Sequence, residues 1–277
     1  MSSWTPLSPN RPHRLPMATA FGATDIGPVR KSNEDNFLIN EALGLVMVAD
    51  GMGGHACGEV ASAGALEAVR GYLSRRSAQL PAQGEPPDRP DDPDATWSDL
   101  AMRAVALLYE AVEFANDALY AENLARERVE GGMGTTLTGF WRASEDVPLV
   151  LFHVGDSRLY RQRGGQLEQL TRDQTMYQQA LDAGMIDNLP ARNLLLQAMG
   201  PSPHVAPMVR SHQVLPGDLL MLCSDGLHGS VPHAEIEAVM AEVTEPTLEA
   251  ACLRLIALAK DYGGRDNITV LMALYRG

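Results

Sequence analysis

The sequence predicts a fold that combines helices with strands joined by hairpins, and three patterns lead to this prediction. Apolar runs such as Leu45–Ala49 and Leu219–Cys223 end abruptly in turn residues, as buried strands do. Two longer stretches, at about 58–75 and 96–128, place apolar residues at helical spacing. The pair Gly164-Gly165 between two β-prone runs predicts a hairpin.

Length and charge limit the classes of protein that this chain can represent. Its 277 residues can form one large domain or two small ones, and 45% of them are hydrophobic. The net charge of −13 argues against nucleic acid or an anionic membrane as a partner. No stretch approaches the ~18 apolar residues of a membrane span, so we expect a soluble protein. Cys57, Cys223 and Cys252 show no CxxC spacing, which predicts neither disulfides nor zinc and favours a reducing cytoplasm.

Two proline-rich segments are predicted to be disordered. Residues 1–16 contain four prolines and lack the apolar core of a signal peptide, so they are interpreted as a disordered lead. Residues 79–95 contain five prolines among acids and are interpreted as a disordered insertion, not a domain boundary. The remaining chain, 17–277, is predicted to form a single domain.

The first strands are predicted at Met17–Thr24, Phe37–Ile39 and Leu45–Ala49, with a turn at Gly27-Pro28. The loop before the second of them carries a cation, an amide and two acids: Arg30, Asn33, Glu34 and Asp35. Taken alone, such a cluster indicates no more than an exposed, salt-bridged loop.

After the long helix the pattern changes to strands, with a glycine-rich entry at Gly131 and an apolar run at Leu149–Val154. Residues 171–207 are weakly patterned and are expected to be an irregular excursion that covers a site. Four further elements are predicted in and after this segment: helices at Gln174–Ala183, Asn193–Gln197, His233–Glu242 and Thr247–Asp261. The last apolar run, ITVLMALY, is predicted to be a strand.

Four aspartates lie at the ends of apolar runs: Asp50, Asp156, Asp225 and Asp266. One Asp-Gly would favour a simple turn, and spacing alone leaves open whether the four meet. If they converge, they repel each other and have raised pKa values unless a cation neutralises them. Oxygen ligands favour Mg²⁺ or Mn²⁺, and the Arg30 guanidinium suits a phosphate.

Eight motifs occur in order: TDIGPVRKSNEDN, VADGMGGHACGEVAS, GMGTTL, HVGDSRLY, LTRDQT, QAMG, LCSDGL and RDNITVL. With them the chain resembles bacterial members of the type-2C family of metal-dependent serine/threonine protein phosphatases. The resemblance implies an α+β fold, a four-layer α-β-β-α sandwich of two central antiparallel sheets flanked by helices. It also implies metals at one end of the sandwich, a catalytic domain over 17–277, and a flap over 171–207 beside the active site.

The resemblance further implies two principal metal sites. Asp50 matches the carboxylate that bridges both metals and orients the attacking water, and the Gly51 carbonyl is a further ligand. Glu34 matches an acid that holds the second metal, largely through water. Asp225 and Asp266 match ligands of the first metal.

A third metal and the phosphate complete the implied site. Asp156, with Asp225, matches the third-metal site of bacterial members, so two or three Mn²⁺ or Mg²⁺ ions are expected. Arg30 matches the arginine that binds the phosphate.

One departure from the family concerns the proton donor. Many eukaryotic members carry, after the Asp-Gly, a histidine proposed to protonate the leaving alkoxide, and this chain has Met52 there. His55 is the alternative general acid, directly or through water, or else it hydrogen-bonds the glycine loop; both interpretations stay open. Asp35 is expected to orient Arg30 or a metal-bound water.

Other polar residues of the motifs are given supporting roles. Ser157, Thr135 and Thr136 lack a matching His and Asp pair, so they are interpreted as supporting polar groups. His153 lies in an apolar run and is expected to be a core residue with satisfied hydrogen bonds.

The leading hypothesis is a serine/threonine protein phosphatase that uses a water activated between two metals and reverses a bacterial kinase in signalling or secretion control. Two alternatives remain, a phosphoprotein-binding module without turnover and a phosphatase of a small phosphorylated molecule. The expected partners are phosphorylated proteins, including a kinase or its targets, and the expected state is a cytoplasmic monomer.

Overall fold

The computed structural model describes residues 7–53, 57–77, 95–126, 132–145 and 147–276. The elements in chain order are β1 (His13–Arg14), β2 (Ala18–Asp25), β3 (Asp35–Asn40), β4 (Leu45–Met52), α1 (Cys57–Arg76), α2 (Ala95–Arg126), β5 (Gly134–Thr135), β6 (Leu137–Trp141), β7 (Leu149–Val154), β8 (Arg158–Arg163), β9 (Gln166–Gln169), α3 (Met176–Asp182), β10 (Met208–His212), β11 (Leu219–Cys223), α4 (Asp225–His228), α5 (His233–Ala241), α6 (Leu248–Asp261) and β12 (Ile268–Tyr275).

The strands form two antiparallel sheets. The first has the order β1-β2-β12-β11-β8-β9, and the second has the order β10-β7-β6-β4-β3, with β5 pairing beside β4. Sequence neighbours such as β3 and β4, or β8 and β9, are hydrogen-bonded hairpins, as the turn residues between them predict. The chain crosses from one sheet to the other between β7 and β8, where the motif around Asp156 lies.

Three apolar clusters stack the sheets and helices into four layers. One cluster joins α1 and α2 to the second sheet, and another joins α5 and α6 to the first sheet. The third fills the space between the two sheets. The predicted α+β sandwich of two antiparallel sheets flanked by helices is therefore confirmed.

Successive side chains of β4 face opposite sides of the sheet, which explains why the strand is apolar throughout and how it positions Asp50. Met47 faces the helices, whereas Val46 and Val48 face the other sheet, and all three are fully buried. A strand buried on both faces reads as one continuous apolar run. The same alternation directs Asp50 toward the space between the sheets.

Most predicted elements are present, but the 171–207 segment differs. The helix predicted at Gln174–Ala183 is α3, capped by the Thr175 side chain, which accepts a hydrogen bond from the Gln178 N–H. The helix predicted at Asn193–Gln197 is wrong, because Leu195 forms an antiparallel bridge with Thr175. Strand β10 was not predicted, and it pairs with β7 at the sheet edge.

The predicted disordered lead is wrong for residues 7–16. His13 and Arg14 pair with β2, and Ser8, His13 and Leu15 are buried. The Ser8 hydroxyl accepts a hydrogen bond from the Ile39 N–H at the outer edge of β3. These contacts order a proline-rich segment because it covers strand edges that would otherwise be open.

The predicted insertion at 79–95 lies outside the described residues up to position 94, and Ala95 begins α2. Among the helices of the described residues, none is both long enough and apolar enough to span a bilayer.

Candidate metal centre

The predicted acidic residues gather at one end of the sandwich. β4, β7 and β11 end there, whereas β3, β8 and β12 begin there, as the antiparallel registers require. These ends carry the carboxylates predicted from sequence: Glu34, Asp35, Asp50, Asp156, Asp225 and Asp266. Sequence spacing left open whether these acids lie near one another. Strand pairing brings them to the same end of the sandwich.

Asp35 and Asp50 lie directly opposite each other in the β3–β4 ladder. Two like charges in this arrangement destabilise a sheet. Burial raises the pKa of Asp50 well above its ordinary value, and the charges of Asp35 and Asp225 raise it further. In the metal-free protein, therefore, the ionised form of Asp50 is disfavoured.

The backbone around Asp50 is held by Thr135 at the end of β5 and by the next residue, Thr136. The Asp50 N–H donates to the Thr136 hydroxyl at 2.9 Å, and the Thr135 hydroxyl donates to the Asp50 carbonyl at 2.9 Å. A Cβ at Gly51 would lie 2.2 Å from the Gly58 carbonyl oxygen, so only glycine permits this close approach. The Thr136 hydroxyl also hydrogen-bonds Ser157, in line with the predicted supporting roles.

Asp35 lies behind the cluster, fully buried at 1% exposure. Its Oδ2 accepts hydrogen bonds from the hydroxyls of Ser224 and Thr269, both at 2.7 Å. Burial raises the pKa of Asp35 to about 7 despite these two donors. Ser224 precedes Asp225, and Thr269 lies three residues after Asp266, so Asp35 braces the ends of β11 and β12 and not the Arg30 side chain.

Asp225 and Asp266 come from the first sheet. Burial, together with the Asp266 charge, raises the pKa of Asp225 to about 6. The Arg30 Nη2 donates to Asp266 Oδ2 at 2.5 Å, and its Nε donates to the Arg265 carbonyl. The predicted phosphate-binding arginine thus lies at the exposed rim of the carboxylates, with 48% of its side chain exposed.

Glu34 is placed by the loop that leads into β3. Its backbone N–H donates to the Asn267 Oδ1 at 2.8 Å, and its carboxylate lies against Gly58, where a Cβ would be 2.6 Å from Oε2. Burial raises the pKa of Glu34, whereas the Arg30 charge opposes that rise. The Asn267 Nδ2 also donates to the carbonyls of Ile26 and Ser32, so one amide secures the whole loop.

Asp156 lies on the crossover from β7 to β8 and is 8% exposed. Burial, together with the charges of Asp225 and Asp173, raises its pKa to about 7. Beside it, Arg158 forms a bidentate pair with Asp173 at 2.7 and 2.8 Å. The His228 Nε2 contacts the Asp156 carbonyl at 3.0 Å, which fixes the turn.

The donor set fits a hard divalent cation. All six acids supply oxygen, which Mg²⁺ and Mn²⁺ prefer. Burial, and then repulsion from neighbouring carboxylates, raises the pKa values of Asp50, Asp156 and Asp225, and a cation would relieve that repulsion. Asp225 Oδ1 is buried without a hydrogen-bond partner, as expected of an oxygen meant for a metal. Within the described part of the chain, no three His, Cys, Asp or Glu side chains are grouped closely enough to enclose a cation.

The residues around the proton donor are only partly described. His55 lies outside the described residues. The Met52 side chain rests over Gly134, where a Cβ would lie 2.7 Å from Cε. His153 is a core residue as expected: its Nδ1 contacts the Thr138 hydroxyl, its Nε2 contacts the Arg172 carbonyl, and burial lowers its pKa to about 4.

The residues that sequence reasoning missed are Ser224, Asn267 and Thr269. Ser224 and Asn267 each adjoin a predicted ligand, and Thr269 lies three residues after Asp266, so a position close to an aspartate in the motifs LCSDGL and RDNITVL was the available signal. Their partners, Asp35 and the 26–34 loop, are more than 180 residues away in sequence, beyond the reach of any local pattern.

Comparison with known proteins places this geometry in a family. The chain is 36% identical over 266 residues to the serine/threonine protein phosphatase PstP of Mycobacterium tuberculosis, covering 94% of this chain but 46% of that relative. It is 35% identical to the serine/threonine phosphatase stp of Listeria innocua, covering 90% of this chain and 92% of that relative. The chain thus spans about half the length of one relative and nearly all of the other.

A solved structure and a family model agree with these relatives. The catalytic domain of PstP in complex with two manganese ions has a TM-score of 0.71 and 34% identity, covering 94% of this chain and 99% of that chain. The family model described as protein phosphatase 2C matches residues 30–255, which include the six acids except Asp266. With its sandwich, its acidic strand ends and this match over most of its length, the chain belongs to the protein phosphatase 2C family.

Proposed function

We propose that this chain is a metal-dependent phosphatase that hydrolyses phosphoserine and phosphothreonine in proteins. The observation that carries the proposal is that the strand ends with Asp50, Asp225 and Asp266 lie at one end of the sandwich, where Arg30 is hydrogen-bonded to Asp266. The names of the relatives, which are serine/threonine phosphatases, support the same activity.

The proposed metal ligands are Glu34, Asp50, the Gly51 carbonyl, Asp156, Asp225 and Asp266. Asp50 would lie between two Mn²⁺ or Mg²⁺ ions, and Asp156 with Asp225 would hold a third. Bound ions would activate a water for attack on phosphorus and neutralise the phosphate charge. The two manganese ions in the related PstP structure support this assignment.

Side chains of the protein would bind the phosphate, position a metal ligand and donate a proton. The Arg30 guanidinium can hold two phosphate oxygens with its planar fork, which orients the ester for in-line attack. Asp35 keeps Asp225 in place by tying Ser224 and Thr269 together. A thioether has no proton to give, so Met52 is no general acid, and His55 is proposed for that role.

The proposal extends to the substrates, the compartment and the assembly state. A serine/threonine kinase or its targets would be the phosphorylated partners, in signalling or secretion control. All three cysteines are buried and none forms a disulfide with another cysteine of the described residues, which suits a reducing cytoplasm. A monomer is proposed because the acids of the site all come from one chain.

The test is hydrolysis of a phosphothreonine peptide with Mn²⁺, for the wild type, Asp50→Asn and the exposed control Asp261→Asn. We expect Asp50→Asn to lose more than the roughly 10–100-fold that removal of an outer-shell partner costs a metal site, and the control to match the wild type. A wild type without metal-dependent turnover, or a fully active Asp50→Asn, would contradict the proposal. Turnover of small phosphomonoesters alone would favour a small-molecule phosphatase, and metal binding without turnover would favour a binding module.

A further inference from the structure

A cavity of about 410 Å³ lies between the end of β4 and the 171–207 segment. Its lining includes Met52 from β4 and Met176, Leu194, Leu196 and Pro201 from the 171–207 segment. Met52 follows Asp50 by two positions in β4, so the two side chains lie on the same face, roughly 7 Å apart along the strand. One lining residue of the cavity therefore neighbours Asp50 on the same strand.

The outer wall is a built structure. The 171–207 segment has two arms that contribute to the lining of the cavity, residues 174–176 and residues 194–199. They are joined because the Met176 N–H donates to the Leu194 carbonyl and the Leu196 N–H donates to the Gln174 carbonyl. One arm is tied to the cluster where the Gln174 N–H donates to the Gly155 carbonyl, beside Asp156.

The other arm is tied beside Asp50. Met199 and Thr135 exchange two backbone hydrogen bonds of 2.9 and 3.1 Å, and the Thr135 hydroxyl donates to the Asp50 carbonyl. Both arms that shape the cavity are thus fastened to backbone that also carries proposed metal ligands.

The chemistry of the walls selects an apolar occupant. Met176, Leu194 and Leu196 keep 43–46% of their surface exposed, although the site lies in a chain with a net charge of −13. Among the described residues that line the cavity, His204 is the only titratable one, and none is an acid, a lysine or an arginine. Exposed apolar surface that adjoins a polar reaction centre marks a place where a ligand is bound.

We propose that this cavity is a subsite for an apolar side chain that flanks the phosphorylated residue of a protein substrate. Met52, Leu194 and Leu196 are then specificity-determining residues, and Met52 contributes apolar surface where it cannot contribute a proton. The inference rests on the proposed phosphatase function and adds a sequence preference to it. A substrate side chain bound here removes the exposed wall from water while its neighbour reaches the carboxylates.

The experiment compares two phosphothreonine peptides that differ only in the four residues nearest the phosphothreonine, leucine in one and asparagine in the other. We expect the wild type to favour the leucine peptide by about tenfold in kcat/KM, the scale at which an apolar pocket discriminates. Leu196→Ser and Leu194→Ser should each bring the ratio toward one. The change should fall mainly on KM, since the lost contact is made in the ground state as well.

Leu181→Ser is the matched control, because Leu181 lies in α3, is 40% exposed and does not line the cavity. It should keep the wild-type ratio. Equal kcat/KM values for the two peptides in the wild type, or an undiminished preference in Leu196→Ser, would overturn the subsite.

Hydrolysis of p-nitrophenyl phosphate distinguishes failure of the proposed phosphatase function from failure of the subsite alone. If this ester and the peptides all resist hydrolysis, the proposed function fails. Binding of both peptides, measured by fluorescence anisotropy, then tests the subsite by itself, and equal dissociation constants would overturn it. If the ester and both peptides are hydrolysed without preference, only the subsite is wrong.

Discussion

At the scale of single residues, the molecule holds several buried carboxyl groups close together at a cost in stability. Burial raises the pKa of Asp35 and Asp156 to about 7 and that of Asp225 to about 6. Within the part of the chain that the structure describes, none of these three carboxyl groups has an ion pair with a lysine or arginine that would offset the loss of hydration. Such destabilised clusters are typical of functional sites, where stability is given up for a ligand.

This arrangement predicts how the stability of the chelated, metal-free protein depends on pH. A carboxyl whose pKa is raised on folding binds more protons in the folded state, so stability falls as the pH rises through the folded pKa. Buried His153 and His228, with pKa values lowered to about 4 and 3, act in the opposite direction, but only below about pH 6.5. We therefore expect the melting temperature in chelator to fall between about pH 6.5 and pH 8.

The variant Asp156→Asn supplies the control for that measurement. Asp156 is one of the two groups with a pKa of about 7, so its removal should make the melting temperature in chelator depend less steeply on pH. In the wild type, Mn²⁺ should raise the melting temperature more at pH 8 than at pH 6.5. A melting temperature that rises across this window in chelator would contradict the assignment of raised pKa values.

At the scale of elements, the side-chain amide of Asn267 holds the loop that carries Arg30 and Glu34. Asn267, just before β12, makes three hydrogen bonds to this loop through its side chain, at 2.8, 2.9 and 3.0 Å. It is 4% exposed, so water does not replace these bonds. The loop, which has little secondary structure of its own, is therefore positioned by the first sheet.

The substitution Asn267→Ala should release this loop. The Ile26 and Ser32 carbonyls and the Glu34 N–H would lose their side-chain partner, so we expect a loss of about 2–3 kcal/mol in the free energy of unfolding for the three hydrogen bonds. Amide exchange in residues 26–34 should accelerate, and the KM for a phosphopeptide should rise because Arg30 is no longer fixed. Exchange in β10, which has no contact with Asn267, is the internal control; equal acceleration there would indicate general destabilisation instead.

Local sequence patterns predicted the helices and strands whose apolar residues recur with a clear period. They did not predict the extended segments that form only because another strand or segment pairs with them. The helix predicted at 58–75 corresponds to Cys57–Arg76, and the last strand was identified from its apolar run. In contrast, Leu194–Leu196 is extended because it bridges the Gln174–Met176 arm, and Met208–His212 is a strand because β7 offers an edge. Neither partner can be identified from the segment itself.

At the scale of the whole molecule, the first described residues fasten the two sheets together. β1 extends the first sheet beyond β2, whereas Ser8 and Leu7 hydrogen-bond Ile39 and Asn36 in the second sheet. One segment thus covers an edge strand in each sheet and stabilises the sandwich along its open side.

Removal of residues 1–16 should therefore destabilise the protein. Loss of the buried Leu15 and of the Ser8 hydrogen bond should cost about 3 kcal/mol, measured as a lower midpoint of urea unfolding. Arg11→Ala is the comparison, since its pair with Glu41 is exposed and should contribute less than about 1 kcal/mol. An unchanged midpoint for the truncated chain would show that the segment does not support the sheets.

The sequence by itself determined the aspartates at the ends of apolar runs, the arginine before them and the family to which these motifs belong. Those features depend on residues adjacent along the chain, where burial and turn chemistry leave a local pattern. Tertiary structure decided that Asp35 faces Asp50, that Ser224 and Thr269 hold Asp35, and that Met52 lines a cavity. These depend on strand register and on contacts between distant segments, which the free energy of the assembled core selects and no local spacing records.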